Sequence, residues 1–305
     1  ADPRVARARI STTTSRSDGL ARLLVLLALL AAWPAAGAIR VVAAENFYGD
    51  LAAQLAGPQA SVSSVLTNPN TDPHLFEAVP STARALAAAD LVIYNGLGYD
   101  PWMKRLLAGT PSARRRVIEV AAALHRDQPG TNPHLWYDPT VMPALARVVS
   151  AQLQSVDPSH AAYFAQQLER FLESMRPIET RIAGLRGRFA GTPVTATEPL
   201  AGDLAAAVGL EMLNGPFQLA VMNNTEPGAR EVAEFERSLR NRRVRLVIYN
   251  SQALSAAVER LLGIARESGI PLVAMSETAP PGMHYQQWLL GELDSLDRAL
   301  SGARP

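Results

Sequence analysis

Short runs of β-branched and apolar residues alternate along this chain with longer stretches in which apolar side chains recur every three or four positions. Ile39–Ala44, Ser61–Leu66, Leu91–Asn95 and Arg116–Val120 read as strands. Pro193–Thr197, Leu210–Leu213, Val244–Asn250 and Pro271–Met275 repeat the pattern in the second half. Segments such as Phe47–Ala56 and Ser81–Ala88 carry helical spacing between them. Strand and helix in alternation predict an α/β fold, with parallel sheets flanked by helices. Leu91-Val-Ile-Tyr-Asn95 also recurs as Leu246-Val-Ile-Tyr-Asn250, each the third strand of its half. Buried parallel strands converge on such runs by composition, yet the recurrence favours two similar lobes.

Between the halves a helical pattern runs from Asp157 to about Arg188. Asp157 can cap it, and Pro158 falls at the first helical position, where a missing N–H costs nothing. Tyr163, Leu168, Phe171, Leu172 and Met175 mark an apolar stripe, and Pro177 is expected to kink or divide the helix. About thirty residues at 1.5 Å each span on the order of 45 Å. One long linker helix of that kind holds two lobes at a nearly fixed separation. The expected division is a leader at 1–38, an N-terminal α/β lobe at 39–150, the linker helix at 151–190 and a C-terminal α/β lobe at 191–305.

Composition narrows the picture. Apolar residues at 48% and charged residues at 19% suit a globular chain large enough for two units. The net charge of +1 favours no nucleic-acid partner. Residues 1–38 carry five arginines against Asp2 and Asp18, so the remainder is mildly acidic. Arg16 and Arg22 precede the apolar run Leu23–Trp33, followed by Pro34 and Ala36-Gly37-Ala38. This is the form of a signal peptide cleaved near Ala38. The run is too short for a membrane span, which needs roughly 20 residues. Export to the periplasm is the expectation. Cysteine is absent, which excludes disulfides, thiolate metal sites and a lipid-anchoring cysteine in these residues, so a soluble monomer is expected.

Candidate chemistry collects at strand ends. His74 lies in Asn70-Thr-Asp-Pro-His-Leu-Phe-Glu77, after the second strand, and His134 in Asn132-Pro-His-Leu-Trp-Tyr-Asp-Pro139, after the fourth. Both share a Pro-His-Leu-aromatic setting. Glu198 follows the strand Pro193–Thr197, and Glu277 follows Pro271–Met275. Ligands of parallel α/β sheets bind beyond the carboxyl ends of the strands. Two imidazoles and two carboxylates there suit zinc, manganese or ferrous iron. Each residue also has a plainer reading: a loop histidine is commonly a surface group, Glu198 could stabilise a helix start, and Glu277 could be a solvated loop residue. His125, His160 and His284 read as structural or exposed, and Asp203 lies one turn past Glu198.

At these residues the sequence resembles the zinc/manganese substrate-binding proteins of ABC importers. The resemblance rests on Asp72–Glu77, Asn132–Pro139, the linker helix and the stretch Thr197–Leu210. It implies His74 and His134 as the first two metal ligands. Glu198 matches the third, where many zinc members carry histidine and manganese members glutamate. The fourth is usually an aspartate; Glu277 is the nearest match, with a longer side chain. The His-rich loop of many zinc members is replaced here by the short His125–Gly130. The implied function is periplasmic capture of zinc or manganese between the lobes, as transported cargo, for delivery to an ABC transporter permease.

Two other classes of function share parts of this pattern. A secreted metallohydrolase would need an open coordination position and a general base, and neither His-Glu-x-x-His nor Gly-x-Ser-x-Gly occurs. An exported binding protein for a metal chelate or small organic ligand could line its pocket with Trp136, Tyr137, Tyr249, Asn250 and Gln252. The sequence leaves the identity of the metal open.

Overall fold

Strands form where the β-branched runs fall. The computed structural model describes residues 38–68, 76–77, 79–223 and 225–302. The leader up to Gly37 lies outside the described residues, as does His74. Strands β1 (Ile39–Glu45), β2 (Ala60–Leu66), β3 (Leu91–Tyr94) and β4 (Arg116–Glu119) make one sheet, in the order β2-β1-β3-β4. Strands β5 (Pro193–Ala196), β6 (Glu211–Leu213), β7 (Val247–Asn250) and β8 (Leu272–Met275) make a second, in the order β6-β5-β7-β8. Every pairing is parallel. In both sheets the chain leaves its first strand to one side and returns on the other, so the strand order reverses beside β1 and β5. The strand boundaries differ from the sequence reading by up to three residues.

Helices cover the sheets because their apolar faces have nowhere else to go. Helix Asn46–Ala56 buries Phe47, Tyr48, Leu51, Ala52 and Leu55 against β1 and its neighbours. It ends at Gly57, whose φ of +52° suits glycine, and a Cβ there would collide with the Tyr163 hydroxyl. One hydrophobic core runs from Val41 and Ile93 in the first sheet, through Phe171 and Ile178, to Val194, Ile248 and Leu293. The two lobes therefore share apolar packing as well as a covalent connection.

The linker begins as expected and continues differently. Asp157 accepts the Ser159 N–H at 3.1 Å, a 3₁₀ turn spans Pro158–His160, and the α-helix then runs 29 residues from Ala161 to Phe189. Pro177 lies inside it without dividing it. The proline lies on the exposed face of the helix, away from the buried stripe. The buried stripe is Phe164, Phe171, Met175, Ile178, Ile182 and Leu185, with Tyr163, Leu168 and Leu172 only partly covered. Among the described residues no helix is long and apolar enough to cross a membrane.

Candidate metal centre

Three of the four expected ligand residues are among those described, and the fold brings them together. His134, Glu198 and Glu277 are buried, and one potential ligand atom from each lies within 4.8 Å of the others. His134 Nε2 stands 3.9 Å from Glu277 Oε2, with side chains 0% and 1% exposed. Metal bonds of about 2.0–2.2 Å put two ligands of one ion within roughly 4.4 Å of each other. The His134–Glu277 spacing of 3.9 Å already lies inside that reach.

Each side chain is aimed by its element. His134 precedes a 3₁₀ turn, Leu135–Tyr137, whose three residues are all buried. Trp136 packs on Phe47, Tyr99 and the His134 ring, with centroids 4.6, 4.9 and 5.4 Å apart. Such aromatic contacts contribute about 0.5–1.5 kcal/mol each beyond the area buried, which holds the turn in place. Asn132 Oδ1 receives the His134 backbone N–H at 3.2 Å and lies 2.8 Å from Nδ1. The backbone donor fixes the amide orientation. Nδ1 must then carry the proton, which leaves the Nε2 lone pair toward the carboxylates. Asn132 Nδ2 donates to the Pro199 carbonyl, beside Glu198, at 2.9 Å. One amide thus orients a histidine of the first lobe and grips the glutamate loop of the second. Its place in Asn-Pro-His was legible in the sequence; its reach across to Pro199 was not.

Glu198 lies just past β5, where the Thr197 N–H donates to the Ile248 carbonyl at 3.0 Å. The next helix starts at Gly202 and carries its own first-turn acid, Asp203. The helix-stabilising role open to Glu198 therefore belongs to Asp203, whose carboxyl is raised chiefly by burial and interacts with Asn132. Glu277 is held from several sides. Tyr137 donates to the Ser276 carbonyl at 2.8 Å, and Asn46 makes a two-point pair with the backbone of Ala279 at 2.7 and 3.1 Å. The first lobe thus fastens this second-lobe loop on both sides of Glu277. Burial, then the nearby charges of Glu277 and Glu45, push the Tyr99 hydroxyl well above its usual range, so it stays a neutral phenol.

The remaining histidines lie elsewhere. His125 is exposed, His160 pairs with Asp157 at 2.6 Å, and His284 is exposed and pairs with Asp50 at 2.7 Å. Trp136 and Tyr137 are fully enclosed in the core, so they form a wall behind the cluster and not the lining of an open pocket.

Two parallel-sheet lobes, an unbroken helix between them and a buried His–Glu–Glu cluster that could hold a metal ion define a two-lobed α/β protein. The chain belongs to the family described as zinc-uptake complex component A, periplasmic (ZnuA), whose family model matches residues 41–299. It is 28% identical over 145 residues to the manganese-binding lipoprotein MntA of Halalkalibacterium halodurans, covering 46% of this chain and 47% of that one. With the MntA of Bacillus subtilis it shares 23% identity over 242 residues, 76% of this chain and 77% of the relative. The chain thus spans about half the length of the first of these relatives. The periplasmic zinc-binding protein TroA of Treponema pallidum has the same fold, with a TM-score of 0.74 at 19% identity, covering 87% of this chain and 99% of that one. Both MntA relatives are named lipoproteins, so the comparison does not bear out the expectation of an unanchored protein.

Proposed function

We propose that this protein is a periplasmic receptor that captures a divalent metal ion, zinc or manganese, between its lobes and delivers it to the permease of an ABC importer. The ligands in this reading are His74, His134, Glu198 and Glu277. The observation that carries it is the buried convergence of His134, Glu198 and Glu277 within 4.8 Å. Two carboxylates that close repel by roughly 3 kcal/mol at an effective dielectric constant near 20. A divalent cation cancels both charges, and a neutral imidazole completes the donor set. Zinc-binding and manganese-binding names among the relatives support the same class of cargo. A closed set of protein ligands suits transport and leaves little room for substrate chemistry, so the reading is a receptor and not an enzyme. The leader at 1–38, the lobes at 39–150 and 191–305 and the linker at 151–190 complete the proposal.

The test is metal content and affinity. Protein stripped with a chelator and titrated at controlled free zinc and manganese should take up one ion per chain. His134→Ala should weaken binding tenfold or more, about 1.4 kcal/mol. Protein that binds neither ion, or a His134→Ala variant with unchanged titration curves, would overturn the reading.

A further inference from the structure

The repeated Leu-Val-Ile-Tyr-Asn run has a structural counterpart that the ligand cluster does not account for. Strands β3 and β7 occupy the same place in their sheets, each between the first and fourth strand of its lobe. Both terminal asparagines are buried, Asn95 at 0% and Asn250 at 1% exposure. Asn95 Nδ2 donates to the carbonyl of Pro133, the residue before His134, at 2.8 Å, and its Oδ1 accepts the Tyr48 hydroxyl at 2.6 Å. Asn250 Nδ2 donates to Glu277 Oε1 at 2.5 Å, and its Oδ1 accepts the Gln252 N–H at 2.9 Å. Gln252 Oε1 in turn accepts the Glu277 N–H at 2.5 Å. Asn250, Gln252 and Glu277 therefore close a ring of three hydrogen bonds. In each lobe, the asparagine at the end of the third strand (Asn95 directly after β3, Asn250 the last residue of β7) steadies the candidate ligand that follows the fourth.

We infer that Asn95 and Asn250 are equivalent positioning residues, and that Asn250 tunes metal preference by engaging one oxygen of Glu277. The inference rests on the metal-capture reading. With Oε1 on the Asn250 amide, Oε2 is the oxygen turned toward His134 Nε2. An oxygen so engaged is the weaker donor of the two, which biases the carboxylate toward one-oxygen coordination and suits the low coordination number and tetrahedral geometry of zinc. Manganese takes an oxygen-rich, octahedral set and gains from the second oxygen. The amide at position 250 therefore favours zinc relative to manganese. Asn95 grips a backbone carbonyl, so it places the imidazole without changing how many donor atoms the site offers.

The experiment measures zinc and manganese affinities of wild type, Asn250→Ala, Asn250→Asp and Asn95→Asp, with circular dichroism and melting of the metal-stripped proteins as the fold check. Asn250→Asp keeps an acceptor for the Gln252 N–H while removing the donor to Glu277, so it carries the test if the alanine variant folds poorly. Zinc affinity should fall about 10–100-fold in both Asn250 variants, the usual cost of removing a partner of a metal ligand. Manganese affinity should fall less, shifting the zinc-to-manganese ratio by roughly fivefold or more. Asn95→Asp should weaken both ions in parallel. Asn250 variants with both affinities intact, or with equal losses for the two metals, would overturn the inference. A wild type that binds neither ion would instead remove the metal-capture reading itself.

Discussion

In the proposed metal site, Glu198 is the side chain at which effects on metal preference and on fold stability are expected to separate most cleanly. It is 5% exposed and stands four residues before the helix whose first turn Asp203 occupies, so the helix does not depend on it. Its carboxylate oxygen is a harder donor than imidazole nitrogen and raises relative tolerance for manganese. Glu198→His should move preference toward zinc, with manganese weakened more than zinc. Glu198→Ala should weaken both metals and, because it relieves the repulsion with Glu277, should not lower the melting temperature of the metal-stripped protein. Titration with each ion and an apo melt check this, and an alanine variant with normal affinity and a lowered apo melt would sink the assignment. At this scale the sequence was informative because ligand atoms need strand-end positions, and strand ends are visible in hydrophobic patterning. Asn132 was half legible: its neighbour His134 drew attention to it, but its hydrogen bond to Pro199 spans 67 positions. No local pattern encodes a contact of that kind.

Among the elements, the C-terminal helix Tyr285–Ser301 shows how burial can load a helix with a titrating group. Glu292 is largely buried there and accepts the Trp288 indole N–H at 3.0 Å; burial outweighs that bond and lifts its carboxyl from 4.5 to about 7. A carboxyl raised on folding binds its proton more tightly in the native state, so its contribution is complete below pH 4.5 and lost as pH rises through about 7. In metal-stripped protein, Glu292→Gln should therefore be more stable than wild type at pH 8, by up to roughly 3 kcal/mol, with the advantage gone near pH 4. Urea melts of both proteins at the two pH values decide it; an equal difference at both would contradict the burial argument. The linker helix teaches a complementary point. Its cap and length were readable from Asp157, Pro158 and the periodic apolar positions. Pro177 read as a kink or a break because a proline in a helix interior costs a hydrogen bond. Its exposed placement and the packing of Met175 and Ile178 on either side sustain the helix through it.

Across the whole molecule, contacts between the lobes bracket the candidate site. Tyr285 donates to the Trp136 carbonyl at 2.6 Å, and Gln54 and Gln286 exchange hydrogen bonds at 3.0 and 2.9 Å. Arg181 and Arg188 of the linker pair with Asp294 and Asp297 of the C-terminal helix. Together with the shared apolar core, these links oppose wide opening of the lobes. Metal release should then proceed by movement of the loops that carry the ligands. Small-angle scattering should give nearly equal radii of gyration for stripped and metal-loaded protein. A marked compaction on loading would instead point to a flexible hinge.

Periodicity alone was enough to establish two parallel-sheet lobes and a helical linker, because strand and helix each impose their own spacing on apolar residues. It also located Glu198 and Glu277 just past strand ends, where parallel sheets present side chains to ligands. His134, read as lying just after the fourth strand, instead follows the short helix Val120–Ala123 and the loop beyond it. The repeated Tyr-Asn ending was visible as a recurrence, but its role was not. Whether the three candidate ligands meet, which nitrogen of His134 faces the carboxylates, and which oxygen of Glu277 Asn250 engages were decided only by the tertiary structure. Each depends on distances between residues far apart in sequence, such as the 143 positions separating His134 from Glu277. Only packing of the two lobes on one core sets those distances.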